Sequence, residues 1–316
     1  MIIDIHVHLV ALREDNGCYV SDKMSRGIVY QLLSRVLGLK GVSRGELDEA
    51  YRDRLLGWAH DSDLDGVGVL ALDGVYDDDG EFDRERTQVY VCNDYCLKVC
   101  EASAKLLPIC SVNPKRKDAI EELERVVAHG AVAIKMLPNS QGFDPGDPDY
   151  QPFWQRMVEL GVPLLIHSSF EHTIPPIDQS FGRPERLHAA LSEGVTVISA
   201  HCASAGVAHI HEDIGTWQSM LREFPNLFGD ISAMASMARF PYLKTVLADE
   251  VARERVALGS DFPIPVSPWL FLPQLGFQKV RELNKIDNPL QKNLETFKAM
   301  GVDNGILRRG ERLLKL

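Results

Sequence analysis

Along the chain, short runs of β-branched and aliphatic residues alternate with longer stretches in which apolar residues recur every three to four positions. The first pattern is that of strands, the second that of amphipathic helices. Strands are predicted at residues 1–9, 66–72, 106–113, 131–137, 162–167, 195–201, 227–232 and 256–261. Helical periodicity fills 45–60, 83–105, 115–129, 150–160, 184–193, 209–224 and 241–254, so a helix follows each of the first seven strands. The eighth crossover falls at 283–300, after a loop holding Pro263, Pro265, Pro268 and Pro273, and a last helix is predicted at 303–316. Strands separated by helical crossovers pair in parallel, because each crossover carries the chain back to the end where the previous strand began. Eight such units with no Gly/Ser linker, low-complexity tract or charge block predict one α/β domain over 1–316, a (β/α)8 TIM barrel rather than a doubly wound sheet. Two strand-to-helix loops are extended, 13–26 after the first strand and 138–148 after the fourth. On a barrel both overhang the rim where the strands end and active sites form.

Composition then removes whole classes of function. The 316 residues carry 34 Lys and Arg against 45 Asp and Glu, a net charge of −11. Such a chain lacks the basic face that displaces phosphate counterions, so nucleic acid is not an expected partner. No run of about 18 apolar residues and no basic leader followed by an apolar core occurs, so no membrane partner is expected and a cytoplasmic location is read. None of the six cysteines forms a C-x-x-C pair. Cys92, Cys96 and Cys100, spaced by four, form one stripe of the predicted 83–105 helix and read as core packing. Trp58, Trp154, Trp217 and Trp269 read as packing too, and neither a dinucleotide fingerprint nor a phosphate loop is present. A small-molecule substrate is the expected partner, with self-association through exposed helices left open.

What remains is a set of polar residues at strand ends. In Ile3-Asp4-Ile5-His6-Val7-His8 the two histidines are two apart, so on a strand they share one face. An apolar run ends in His167, another in His201, a third in Lys135, and the last predicted strand ends in Asp261. One histidine after an apolar run is ordinarily core; five strands ending in polar groups at the same rim are not explained by packing. Neutral imidazole and carboxylate suit a divalent ion such as zinc, and a catalytic site keeps one coordination position open.

This ordered set resembles the amidohydrolase superfamily of metal-dependent barrel enzymes, in particular the branch that includes aminocarboxymuconate-semialdehyde decarboxylase, and the resemblance spans the whole chain. It implies that His6, His8, His167 and Asp261 hold one divalent ion, zinc first and manganese as the alternative. His201 is then either an acid/base beside the ion or a ligand to a second one. Lys135 decides between them, because a free ammonium cannot ligate a cation whereas a carboxylated lysine bridges two. With all six positions filled, the resemblance favours two ions. The implied chemistry is hydrolysis of a small ester, lactone, amide or related bond: water is activated, Asp261 moves its proton and His201 supports the developing charge, with Lys135 in the catalytic set. Nonoxidative decarboxylation of an unsaturated or aromatic acid is the alternative, since one ligand set serves both chemistries. A catalytically inactive barrel acting as a binding protein is a third reading.

Other polar residues are candidates for substrate contact by their place in rim loops: Glu171 and His172 after the fifth strand, Asn139 and Gln141 after the fourth, and Arg183. Asp230, near the end of the seventh strand, either orients a ligand histidine or caps the next helix. His209 and His211 fall on a predicted helix, where residues two apart diverge, and are not expected to act as a ligand pair. His60, His129 and His188 read as surface or helix-end histidines.

Overall fold

A computed structural model describes residues 1–25, 37–39, 41–43, 45–171, 173–206 and 213–316. Eight parallel strands appear in the predicted places: β1 (Ile3–His8), β3 (Gly66–Leu70), β5 (Leu106–Cys110), β6 (Ala133–Met136), β7 (Leu164–His167), β8 (Val197–Ala200), β9 (Leu227–Asp230) and β10 (Val256–Ala257). They form one sheet in the order β1-β3-β5-β6-β7-β8-β9-β10. The sheet curls until its edges meet. Ile5 N donates to Leu258 O at 3.1 Å, Asp261 N to His6 O at 2.9 Å and His8 N to Phe262 O at 2.8 Å. The architecture is a (β/α)8 barrel.

The helices follow their caps. Asn288 accepts from Leu290 N and Gln291 N ahead of the Pro289–Ala299 helix, and Asp303 accepts from Ile306 N ahead of Asn304–Leu313. Asp249 breaks the stretch predicted as one helix at 241–254. Its carboxylate accepts from Val251 N and Ala252 N, so the segment is Phe240–Ala248 followed by Glu250–Arg253. Residues 138–148 are also not all loop, since Pro138–Gln141 makes one helical turn. Within the proline-containing connection lies a further helix, Leu272–Asn284. Residues 207–212, with His209 and His211, fall outside the described residues.

The largest departure from the sequence pattern is at 83–105, where the helix is only Asn93–Cys100. Before it, β4 (Val89–Tyr90) pairs antiparallel with β2 (Tyr19–Val20), a short ribbon beside the barrel mouth. Two-residue strands carry too few alternations to show a period of two.

Two apolar layers hold the barrel. Ile3, Ile5, Leu70, Ile109, Ala133, Leu165, Ile198 and Ala257 fill its interior with Leu313 and Leu314 of the C-terminal segment. Leu164, Ile166, Val197, Val256 and their neighbours face outward to the helices. The C-terminal helix packs on β1 at Gly310, where a Cβ would lie 2.8 Å from Ile5 Cγ2. Among the described residues no helix is long and apolar enough to cross a membrane.

Candidate metal centre

Each strand delivers its polar group by one of three devices. In β6 and β7 plain alternation suffices: Ala133 and Leu165 face the barrel interior, so Lys135 and His167, two positions on, face the same way at the mouth. In β1 alternation alone would fail, because Ile3 and Ile5 face inward and would send His6 and His8 toward the helices. The register against β3 shifts by one residue between Asp4 and Val7. This irregularity exchanges the faces, so that Val7 joins the outer core and His6 and His8 line the mouth. For His201 and Asp261 the backbone itself turns. His201 has φ 56° and Asp261 φ 62°, left-handed conformations that strain a residue with a Cβ and that concentrate at functional sites.

All six residues proposed as metal ligands, His6, His8, Lys135, His167, His201 and Asp261, line one cavity of about 230 Å³. Asp261 Oδ1 lies 3.1 Å from His8 Nε2 and 3.3 Å from His6 Nε2, and Oδ2 lies 4.0 Å from His201 Nε2. Donor atoms of His6, His8 and Asp261 fall within 4.8 Å of one another. The His201 ring lies 5.2 Å from that of His6 and 5.4 Å from that of His167, centroid to centroid.

His6, His201 and Asp230 also bring donor atoms within 4.8 Å of one another, but those atoms are already engaged. Asp230 Oδ2 accepts from His6 Nδ1 at 2.8 Å, while Oδ1 accepts from His201 N at 2.8 Å, from Ser232 N at 3.0 Å and from the Ser232 hydroxyl. With its proton directed at Asp230, Ser232 Oγ accepts from His201 Nδ1 at 2.7 Å. Both rings therefore carry their proton on Nδ1 and turn the Nε2 lone pair into the cavity. Nε2 of His6 and of His167 are buried and have no hydrogen-bond partner among the described residues. Unpaired buried acceptors beside a carboxylate are what a divalent cation satisfies, and the residues present fit one.

Burial drives the electrostatics. It lowers His6 and His201 below the ordinary histidine range and takes His167 down to about 4, so all three are neutral and fit to ligate. Burial also opposes ionisation of Asp261 and Asp230, but the polar groups aimed at them, His8 at Asp261 and His6 and Ser232 at Asp230, hydrogen-bond the ionised form and hold both carboxyls well below the usual range. Lys135, 2% exposed, is lowered to about 8 by burial. Its amine makes no ion pair or hydrogen bond among the described residues.

The residues read as substrate contacts separate. Glu171 lines the cavity with Oε2 3.6 Å from His167 Nε2, while its other oxygen accepts from Thr173 N and Ile174 N. Asn139 is buried and donates to Ser169 O and to Gln179; Gln141 is buried and accepts from Leu137 N at 2.6 Å. Both tie loops together and neither lines the cavity, because a polar side chain under a rim needs partners as much as one on it. Asp230 lies behind His6. Arg183 is half-exposed, 3.8 Å from Glu185 and Asp213, and does not line the cavity. His172 falls outside the described residues. Two residues of the site had not been singled out from sequence. Ser232 bridges His6 and His201, and Arg239 is a buried cation on the cavity wall whose Nη1 donates to Ser204. The pair Asp230-x-Ser232 at a strand end was the available signal for Ser232.

A family model for amidohydrolases matches residues 3–304. The chain belongs to the amidohydrolase family. No protein of curated function matches this amidohydrolase by sequence. Among solved structures, 5-carboxyvanillate decarboxylase from Sphingomonas paucimobilis is similar at 14% identity and TM-score 0.60, covering 100% of this chain and 99% of that one. A protein from Pseudomonas putida assigned as a 2-pyrone-4,6-dicarboxylic acid hydrolase is similar at 14% identity and TM-score 0.56, over 99% and 97%. The 5-carboxyvanillate decarboxylase of Novosphingobium aromaticivorans, solved with manganese and 4-hydroxy-3-methoxy-5-nitrobenzoic acid, is similar at 14% identity and TM-score 0.54, over 100% and 96%. At these identities the likeness is one of fold. Family and fold together support an enzyme whose neighbours include hydrolases and decarboxylases.

Proposed function

We propose that the protein is a divalent-metal hydrolase acting on an ester, lactone or amide of a small carboxylic acid with a largely apolar body. The observation that carries this reading is the pair of buried nitrogens, His6 Nε2 and His167 Nε2, unpartnered among the described residues and facing the same cavity as His8 and Asp261. His6, His8, His167 and Asp261 would hold one ion, with His201 and a carboxylated Lys135 available to a second. Zinc suits the donors, and manganese, present in one of the similar structures, is the alternative. A divalent ion at such a site supplies Lewis acidity, lowering the pKa of water and polarising a substrate oxygen.

The chain's own residues supply the rest. Asp261, ionised and facing His201, accepts the proton of the attacking water at Oδ2 and returns it to the leaving group. Asp230 and Ser232 fix His6 and His201 in the tautomer that turns Nε2 inward. With Lys135 uncarboxylated, two cavity-side carboxylates, Asp261 and Glu171, and Asp230 behind His6 stand against two buried cations, Lys135 and Arg239, and neither cation has a carboxylate within ion-pair distance among the described residues. Once a divalent ion is added, positive charge is in excess, which favours an anionic substrate. Leu9, Leu12, Leu72, Val89, Val91 and Leu137 give the wall its apolar character.

Decarboxylation is the second reading. The same two unpaired cations would seat a carboxylate in an apolar surround, and two of the similar structures are decarboxylases. Turnover of a panel of lactones, esters and aromatic acids by metal-loaded protein separates the readings. Heavy oxygen from labelled water in the product supports hydrolysis; carbon dioxide release without that label overturns it in favour of decarboxylation. Protein that retains no divalent ion after chelator-free purification and binds none on titration would overturn both.

A further inference from the structure

We propose that Cys18 and Cys92 form a reversible disulfide, driven by hydroperoxide, that straps the loop after β1 to the strand opposite it on the cavity wall. The two sulfurs lie 3.8 Å apart, in van der Waals contact across the β2–β4 ribbon. Bond formation requires them to close to about 2 Å, within reach of side-chain rotation when the sulfurs already touch. Gly17 makes the approach feasible. It has φ 77°, and a Cβ there would stand 3.0 Å from Cys92 Sγ.

The two thiols have unequal surroundings. Cys18 is 1% exposed, whereas Cys92 is part-exposed. Cys92 is not on the helical stripe expected from its spacing. It is the N-cap of Asn93–Cys100, where the amides of the first turn favour a thiolate. The hydrogen bond from Cys18, the largest influence, outweighs burial and holds the Cys92 thiol below its ordinary range. The other four cysteines are buried. The reaction therefore has an order. The Cys92 thiolate attacks a peroxide oxygen, the O–O bond breaks and Cys92 becomes a sulfenic acid with loss of hydroxide or alkoxide. The Cys18 sulfur then attacks the Cys92 sulfur, the S–O bond breaks, water leaves and the disulfide forms. The two electrons lost by the thiols reduce the peroxide, and a small thiol reverses the change by exchange.

The strap acts on the cavity because both elements it joins form the cavity wall. Leu9, Val10, Ala11 and Leu12 of the loop and Val20 of β2 line the cavity together with Val89 and Val91. The loop's near end is already held by Asp48, which accepts from Leu12 N at 2.8 Å, Arg13 N at 3.1 Å and Asn16 Nδ2 at 3.0 Å. Oxidation fixes its far end without touching the histidine cluster.

The test treats the full-length protein with hydrogen peroxide near stoichiometry, blocks remaining thiols and maps peptides without reduction. The expected product is a Cys18–Cys92 cross-linked peptide, lighter by two hydrogens, with the other four cysteines still alkylated after unfolding. It disappears on treatment with dithiothreitol and does not form in Cys92→Ser. Amide exchange of residues 9–20 is expected to slow by about fivefold or more in the oxidised form, as for a segment held at both ends. Absence of the cross-link, or oxidation of Cys92 only to sulfinic acid, overturns the disulfide. A cross-link with unchanged exchange overturns the strap. Cys18→Ala, which leaves Cys92 in place, is expected to stop Cys92 at sulfenic acid, trappable with dimedone; a Cys92 disulfide to another cysteine of the same chain in that variant would overturn the pairing.

Discussion

The interior of the barrel is built in two storeys from the same strands. In β7, Leu165 belongs to an apolar floor with Ile5, Ala133, Ile198 and Ala257, sealed by Leu313 and Leu314. Two residues later His167 stands in a polar mouth with His6, His8, Lys135, His201 and Asp261. The floor is satisfied by its own packing, while the mouth contains buried nitrogens, His6 Nε2 and His167 Nε2, without hydrogen-bond partners among the described residues. A step of two residues along a strand thus separates positions selected for stability from positions held ready for a ligand, the division expected between the two ends of such a barrel.

Substitutions on either side of that step test it. The largest effect is expected from His6→Ala or Asp261→Asn, which should abolish stoichiometric metal binding and reduce turnover by about a thousandfold, with the melting temperature of the metal-free protein little changed. Unchanged metal content by elemental analysis would remove the mouth from the comparison. Next, Leu165→Ala should cost about 3 kcal/mol in denaturant unfolding and leave metal stoichiometry intact; a lost ion would mean that floor and mouth are one unit. A smaller effect belongs to the support between them. Asp230→Asn loosens His6 and His201 and should weaken metal affinity by roughly 10- to 100-fold, measured by competition with a chelator. Last, Arg183→Ala, outside both storeys, should change stability by less than about 0.5 kcal/mol and metal affinity not at all; a large loss of affinity would place the rim loop in the site.

The strand ends were legible because their chemistry departs from the run before them. Lys135 and His167 follow Ala133 and Leu165 by one period of a strand, and a pattern of two shows directly in sequence. His6 and His8 were assigned to the correct side although the register irregularity that puts them there leaves no mark in the residues. The β2–β4 ribbon was missed for lack of length, and with it the position of Cys92, whose i+4 spacing to Cys96 imitates a helical stripe. Arg239 was missed because it follows the seventh strand by nine residues, beyond any periodicity that relates it to the cavity. Asn139 and Gln141 show the converse: amides in a rim loop look like ligand contacts until their hydrogen bonds are found to end within the protein.

The seam where β1 meets the segment after β10 has a consequence for how the molecule comes to exist. His8 and Asp261 are 253 positions apart, and Asp4 Oδ1 reaches across the same seam to accept from Ser260 N at 2.9 Å. Nearly the whole polypeptide must be synthesised and wound before these groups are neighbours. An ion held there would recognise only the finished circle, and by mass action would draw the folding equilibrium toward it. Occupancy of that seam would report on completion of the barrel itself.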